Sequence, residues 1–204
     1  MAGSGAVPHF QSRAPPTLPT PMLLESPPLP SSLEGYSSSR MTRRRSVNVT
    51  VSPGRGTLQA ALDSAAAGDR LVLEAGGTYT GSGRFVLRIS QKNITIWAPT
   101  SGGAVLDGEN ARVVISFGLG AGDKVVLSGL QITRGNTKRS GLSDGGGINI
   151  DGGTVNINNC AIHNNQATTG GGLCIARRVN APAVNIISCT INNNQAYGVC
   201  HAQF

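Results

Sequence analysis

The run Val155-Asn156-Ile157-Asn158-Asn159-Cys160-Ala161-Ile162 returns as Val184-Asn185-Ile186-Ile187-Ser188-Cys189-Thr190-Ile191, an offset of 29 residues. An earlier copy, Val125-Val126-Leu127-Ser128-Gly129-Leu130-Gln131-Ile132, precedes the first by 30. In all three, the first, third, sixth and eighth positions are apolar or Cys. The columns are Val125/Val155/Val184, Leu127/Ile157/Ile186, Leu130/Cys160/Cys189 and Ile132/Ile162/Ile191. Alternation over two short runs joined at one bend is the pattern of two strands, each with one face inward. The bend falls on Gly129, Asn159 and Ser188. A second corner is expected at Gly108, Gly135, Asn165 and Asn194, because Gly and Asn best tolerate positive φ.

A third strand follows, carried by Gly147-Ile148-Asn149-Ile150, Gly172-Leu173-Cys174-Ile175 and Gly198-Val199-Cys200-His201, the first two after triple-Gly corners. Three short strands repeating with no helix between them predict an all-β, right-handed parallel β-helix of about five coils. The coils begin near Leu71, Ile94, Val125, Val155 and Val184. A leucine-rich repeat has a different spacing, and an antiparallel sandwich would not return its corner residues at this interval. Coils stacked about 4.8 Å apart bury each inward aliphatic side chain for about 1.5–3 kcal/mol. Upstream, Leu58, Ala61 and Ala65 fall at helical spacing, with Asp63 interrupting the stripe. Thr57 as N-cap and Gly68 as terminator then predict one short N-terminal capping helix, and Leu71–Leu73 the first strand.

The composition suits a thin core. Of 204 residues 39% are hydrophobic, but aromatic residues make up only 4% and charged residues 13%, while Gly takes 28 positions. Residues 1–46 hold most of the prolines together with Ser clusters and Arg40, Arg43, Arg44 and Arg45, and are expected to be a disordered tail, with the β-helix over 47–204. Much of the net charge of +7 sits in that tail, so it implies no specific nucleic-acid partner. No run approaches the roughly 18 apolar residues needed to span a bilayer, and the N-terminus lacks the apolar stretch of a secretory signal. The tail, with only Glu25 and Glu34 acidic, loosely resembles an organelle transit peptide. Cys160, Cys174, Cys189 and Cys200 have no C-x-x-C spacing, so no metal is expected. They stack instead as Cys160 over Cys189 and Cys174 over Cys200, close to disulfide distance, or as a column of small apolar thiols in the core and wall.

Gly145-Gly146-Gly147-Ile148 and Asn164-Asn165-Gln166-Ala167-Thr168-Thr169-Gly170-Gly171-Gly172-Leu173 resemble the repeat of polymorphic outer membrane proteins, although the usual Phe before the Asn is absent. Thr57 to Tyr79, with its Ala-rich helix, Gly68-Asp69, Leu71-Val72-Leu73 and Gly77-Thr78-Tyr79, is similar to the capping start of pectate lyases, pectinesterases and polygalacturonases. The likeness spans roughly 55–204 and marks the pectin-lyase-like superfamily, which implies the fold and an extracellular or cell-surface setting, not an activity.

Enzymes of that superfamily act on acidic polysaccharides with calcium-holding carboxylates and a basic residue, or with a carboxylate pair. Outside the tail the acids are Asp63, Asp69, Glu74, Asp107, Glu109, Asp123, Asp144 and Asp151, and they do not recur at one repeat position. The Asn-Thr-Asp, Asp-Asp and Gly-His-Gly elements of polygalacturonases and the Asp-Phe-Ile-Phe-Gly element of pectinesterases are missing. The column beside the second corner reads Asp107, Arg134, Asn164 and Asn193. A pectate-lyase-like reading makes Asp107 a calcium ligand and Arg134 the base; a structural reading makes them a surface ion pair beside an Asn ladder. Asp144 and Asp151 flank a Gly run and, with Asn164 and Asn193, are candidate ligand-binding residues; His163 and His201 read as solvated. Scarce carboxylates on a regular repeat favour a noncatalytic, adhesin-like or glycan-binding β-helix of a surface or secreted protein, with polysaccharide or cell-surface glycan as partner. A polysaccharide lyase is the alternative, and calcium is expected as cofactor only there. A third reading is a fragment of a larger β-helix, whose open C-terminal coil invites self-association.

Overall fold

The computed structural model describes residues 45–90, 92–176 and 181–198. The tail with Arg40, Arg43 and Arg44, and the stretch with Val199, Cys200 and His201, lie outside the described residues.

Asn48–Val51, Arg70–Leu73, Ile94–Trp97, Lys124–Ser128, Thr154–Asn158 and Ala183–Ile187 stack in parallel as the first sheet. The second sheet stacks Gly54–Arg55, Thr78–Thr80, Ala104–Asp107, Leu130–Thr133, Ala161–His163 and Thr190–Asn192. The third holds Phe85–Ser90, Val113–Gly118, Ile148–Ile150 and Leu173–Ile175. The chain visits the three in turn and returns one rung along, a right-handed parallel β-helix of about five coils; right-twisted strands favour that hand for any parallel crossover.

Repeated side chains meet as the sequence spacing requires. Val125, Val155 and Val184 pair directly, as do Leu127, Ile157 and Ile186, and Ile132, Ile162 and Ile191. In the middle coils these inward positions are fully buried, and Tyr79 and Phe117 are the largest side chains in the core. In the last described coil the same columns open to solvent, with Ile186 41% and Ile191 46% exposed.

Four features differ from the sequence reading. The stack starts one rung earlier, because Asn48–Val51 pairs with Arg70–Leu73. The capping helix runs Thr57–Ser64, with Gly56 in the left-handed region at φ 73° as its N-cap, and ends before Gly68. Thr57 is its first residue, and its hydroxyl donates to Gly54 O. Leu58 and Leu62 are its buried anchors, and Asp63 points to solvent, so no stripe is broken. The second corner does not turn where expected: Arg134, Asn164 and Asn193, with φ of 54°, 55° and 51°, turn one residue before Gly135, Asn165 and Asn194, whereas in the coil of Gly108 the turn comes after it, at Glu109 and Asn110 with φ of 53° and 55°. The first bend is as expected, with Gly129, Asn159 and Ser188 at 75°, 51° and 53°. Finally, the later coils carry extra elements between the second and third sheets. Gln166–Thr169 pairs with Gln195–Gly198, and one rung below, Thr137–Ser140 forms a helical turn capped by the Asn136 side chain on Lys138 N.

Candidate functional site

Alternation on the third sheet sends Leu87, Ile89, Ile115, Phe117, Ile148 and Ile150 inward. The residues between them therefore face out, and in register Arg88 lies beside Ser116, Ser116 beside Asn149, and Asn149 beside Cys174. Ser116 and Asn149 of this row are the floor of a groove of about 320 Å³. Arg84, Phe85 and Arg88 form one wall, and the loop Leu142, Ser143 and Asp144 the other, with Asp151 at the strand end. The structure thus brings Asp144 and Asp151 into one site. The sequence reading missed its arginines, Phe85, Ser116 and Asn149, although alternation around Leu87, Ile115 and Ile148 already marks the outward row.

The groove is polar and mixed in charge. Asp144 accepts from Ser143 Oγ at 2.9 Å and from Thr169 Oγ1. Asn149 Nδ2 donates to Asp151 Oδ2 at 3.2 Å, while Asn149 Oδ1 is buried with no donor. Arg84 and Arg88 are exposed and form no ion pair among the described residues. The Arg88 guanidinium sits 5.7 Å from the Phe85 ring centre. Such a set offers forked donors, carboxylate acceptors and a ring face, the groups that bind hydroxyls and the apolar faces of sugars.

Asp107 and Arg134 lie elsewhere, at the second corner. Asp107 is on a strand and pairs with Thr133, not with Arg134, so the expected column is offset by one residue there. The two nevertheless meet. Arg134 Nε donates to Asp107 Oδ1 at 2.9 Å, its Nη2 reaches Oδ2, and Glu109 N donates to Oδ1 at 2.8 Å. The Asp107 side chain is 5% exposed and that of Arg134 53%. Hydrogen bonding and charge from Asp107 raise the Arg134 guanidinium further above its ordinary value, away from what proton abstraction requires. Beside this pair, Glu109 bridges Arg55 at 2.9 Å and Arg112.

Asn164 and Asn193 are exposed at their left-handed turns. The asparagine ladder is formed by their neighbours. Asn165, 1% exposed, accepts from Gly135 N at 2.8 Å and donates to Ile132 O at 3.0 Å, and Asn194 repeats both contacts one rung on. His163 lies in the Asp107 column, half-buried, with Nδ1 near Thr133 Oγ1 and Asn164 Nδ2 at 3.3 and 3.0 Å. Among the described residues no three His, Cys, Asp or Glu side chains converge to hold a metal ion, and no helix is long and apolar enough to cross a membrane.

Comparison with protein-family models gives no match, and neither does comparison with curated proteins. Among solved structures the chain is similar to a PL6 family alginate lyase, AlyGC, solved as an arginine-to-alanine mutant, at 20% identity and a TM-score of 0.48. The likeness covers 72% of this chain and 20% of that one, so this chain spans about a fifth of the enzyme's length. A likeness this distant carries neither reaction nor substrate across.

Proposed function

We propose that the chain is a noncatalytic glycan-binding β-helix that takes sugar residues into the groove on the outer face of its third sheet. Asn149 carries the reading. A buried amide oxygen with no donor costs about 1–3 kcal/mol, and a rotation of the Asn149 amide toward the groove lets a sugar hydroxyl supply that donor. Phe85 offers a ring face in the same groove, and the Arg84 and Arg88 guanidinia, without an ion pair among the described residues, suit an acidic or heavily hydroxylated saccharide. The groove is also the better candidate on electrostatic grounds, because Asp107 and Arg134 neutralise each other at the corner.

The test is binding of the purified chain to an array of acidic and neutral oligosaccharides, followed by titration of the best ligand. Asn149→Ala and Arg88→Ala are expected to weaken binding at least about tenfold. Asn164→Ala and Asn193→Ala, on the turns outside the groove, are expected to leave it unchanged. Calcium-dependent release of unsaturated uronate from an acidic polysaccharide, lost on Arg134→Ala, would replace this reading with the lyase.

A further inference from the structure

Two thiols remain outside the groove. Cys160 and Cys189 occupy one repeat position on neighbouring coils, each just before the directly paired Ala161 and Thr190. Coils spaced about 4.8 Å apart hold such α-carbons within the roughly 4.4–6.8 Å that a disulfide spans. The Cys189 sulfur already lies 3.4 Å from Cys160 N. Cys160 Sγ lies 3.2 Å from Asn158 O, and Cys189 Sγ lies 3.3 Å from both Ile187 O and, on the neighbouring coil, Ile157 O.

Both are free, and they differ in access. Cys160 is 3% exposed, whereas Cys189 is half-buried in the coil whose Ile186 and Ile191 are open to solvent. Burial pushes the Cys160 thiol up to about 11, so Cys189 meets an external reagent first. Cys174, on the outward row of the third sheet, is held in a disulfide, and chains that keep disulfides reside where small disulfides are present. Cys200, which the sequence pairs with it, lies outside the described residues.

We propose that Cys189 is a modification site for low-molecular-weight disulfides and that Cys160 resolves the adduct into a disulfide joining neighbouring coils. The Cys189 thiolate attacks one sulfur of the small disulfide, whose S–S bond breaks. A mixed disulfide forms, and the first small thiolate leaves and takes up the proton Cys189 released. The Cys160 thiolate then attacks the Cys189 sulfur and expels the second small thiolate, which takes the Cys160 proton. Two protein thiols are oxidised and one small disulfide is reduced to two thiols.

The native full chain, its Cys174 disulfide intact, is incubated with oxidised glutathione, quenched with acid and mapped by mass spectrometry without reduction. Loss of both free thiols, a Cys160–Cys189 cross-linked peptide and at least about tenfold slower amide exchange over 183–198 are expected. Cys160→Ala should accumulate the glutathione adduct on Cys189, and Cys189→Ala should leave Cys160 unmodified. Either replacement also removes a packed sulfur, so the wild-type map decides alone. A wild-type chain that stops at the adduct, or that keeps both thiols, overturns the proposal.

Discussion

Asn164 and Asn165 are adjacent and do opposite work. Asn164 is exposed and supplies only a left-handed φ of 55°, whereas Asn165 is buried and satisfies Gly135 N and Ile132 O from its side chain. Asn165→Ala orphans both backbone groups and is expected to cost about 3 kcal/mol, against about 1 kcal/mol for Asn164→Ala, which only strains a turn; urea unfolding separates the two. The sequence made the Asn-rich corner legible but not which Asn turns, because both tolerate positive φ and only the strand register decides. Asp107 and Arg134 were legible as a pair for the same reason that they were misaligned: a residue's reach along the side chain exceeds a one-residue slip. Removing Arg134 leaves a buried carboxylate with Glu109 N as its remaining donor among the described residues. Arg134→Ala and Asp107→Ala together should therefore cost less than the sum of the singles, by about 1 kcal/mol in a double-mutant cycle.

At the scale of elements, the triple-Gly runs follow from the ladder. A Cβ on Gly147 would meet Gly172 O and then Asn165 Nδ2 at 2.9 Å, and one on Gly172 would stand 2.6 Å from Asn194 Nδ2, so each run closes against the next rung, its Asn included. Gly172→Ala is expected to cost about 1–3 kcal/mol by overpacking, and pairing it with Asn194→Ala should recover part of that loss, because the atoms nearest that Cβ all belong to Asn194. The Gly runs were therefore readable from the sequence as corners, while their packing partner was not, since it lies eighteen or more residues downstream. The capping helix shows what periodicity misses. Its stripe was read through Ala61 and Ala65, but Leu58 and Leu62, one turn apart, are the side chains that close the end of the core. Its C-terminus is held by a lysine from a later strand connection: Lys92 Nζ donates to Leu62 O and, at 2.9 Å, to Ala65 O. A cation on the last carbonyls offsets the helix dipole. Lys92→Met, which keeps the aliphatic stem, should lower stability by about 1 kcal/mol, whereas Leu62→Ala should cost about 2–5 kcal/mol; thermal unfolding by circular dichroism reads both.

Across the whole molecule the strands of each coil pair only with those of neighbouring coils, and a few long side chains such as Arg55 on Glu109 reach one rung further, so stability is largely a sum of rungs and the interfaces between them. The N-terminal rungs are closed by Leu58 and Leu62 of the helix, and the middle rungs by coils on both sides. The last described rung is covered on one side, as the exposure of Ile186 and Ile191 shows. One column then tests whether the fold behaves as a stack, because Leu127, Ile157 and Ile186 are the same position on three successive coils. Ile157, fully buried, loses its whole transfer term and leaves a cavity between two rungs, so Ile157→Ala is expected to cost about 3–5 kcal/mol. Ile186, 41% exposed, has neighbours on one side that can relax toward solvent, and Ile186→Ala is expected to cost about 1 kcal/mol. Hydrogen exchange should show the same gradient without mutation, with amides over 183–198 opening well before those of Lys124–Ser128 and Thr154–Asn158. Equal costs for the two replacements, with uniform exchange, would mean a single cooperative core and would sink the additive picture on which the stacking argument rests.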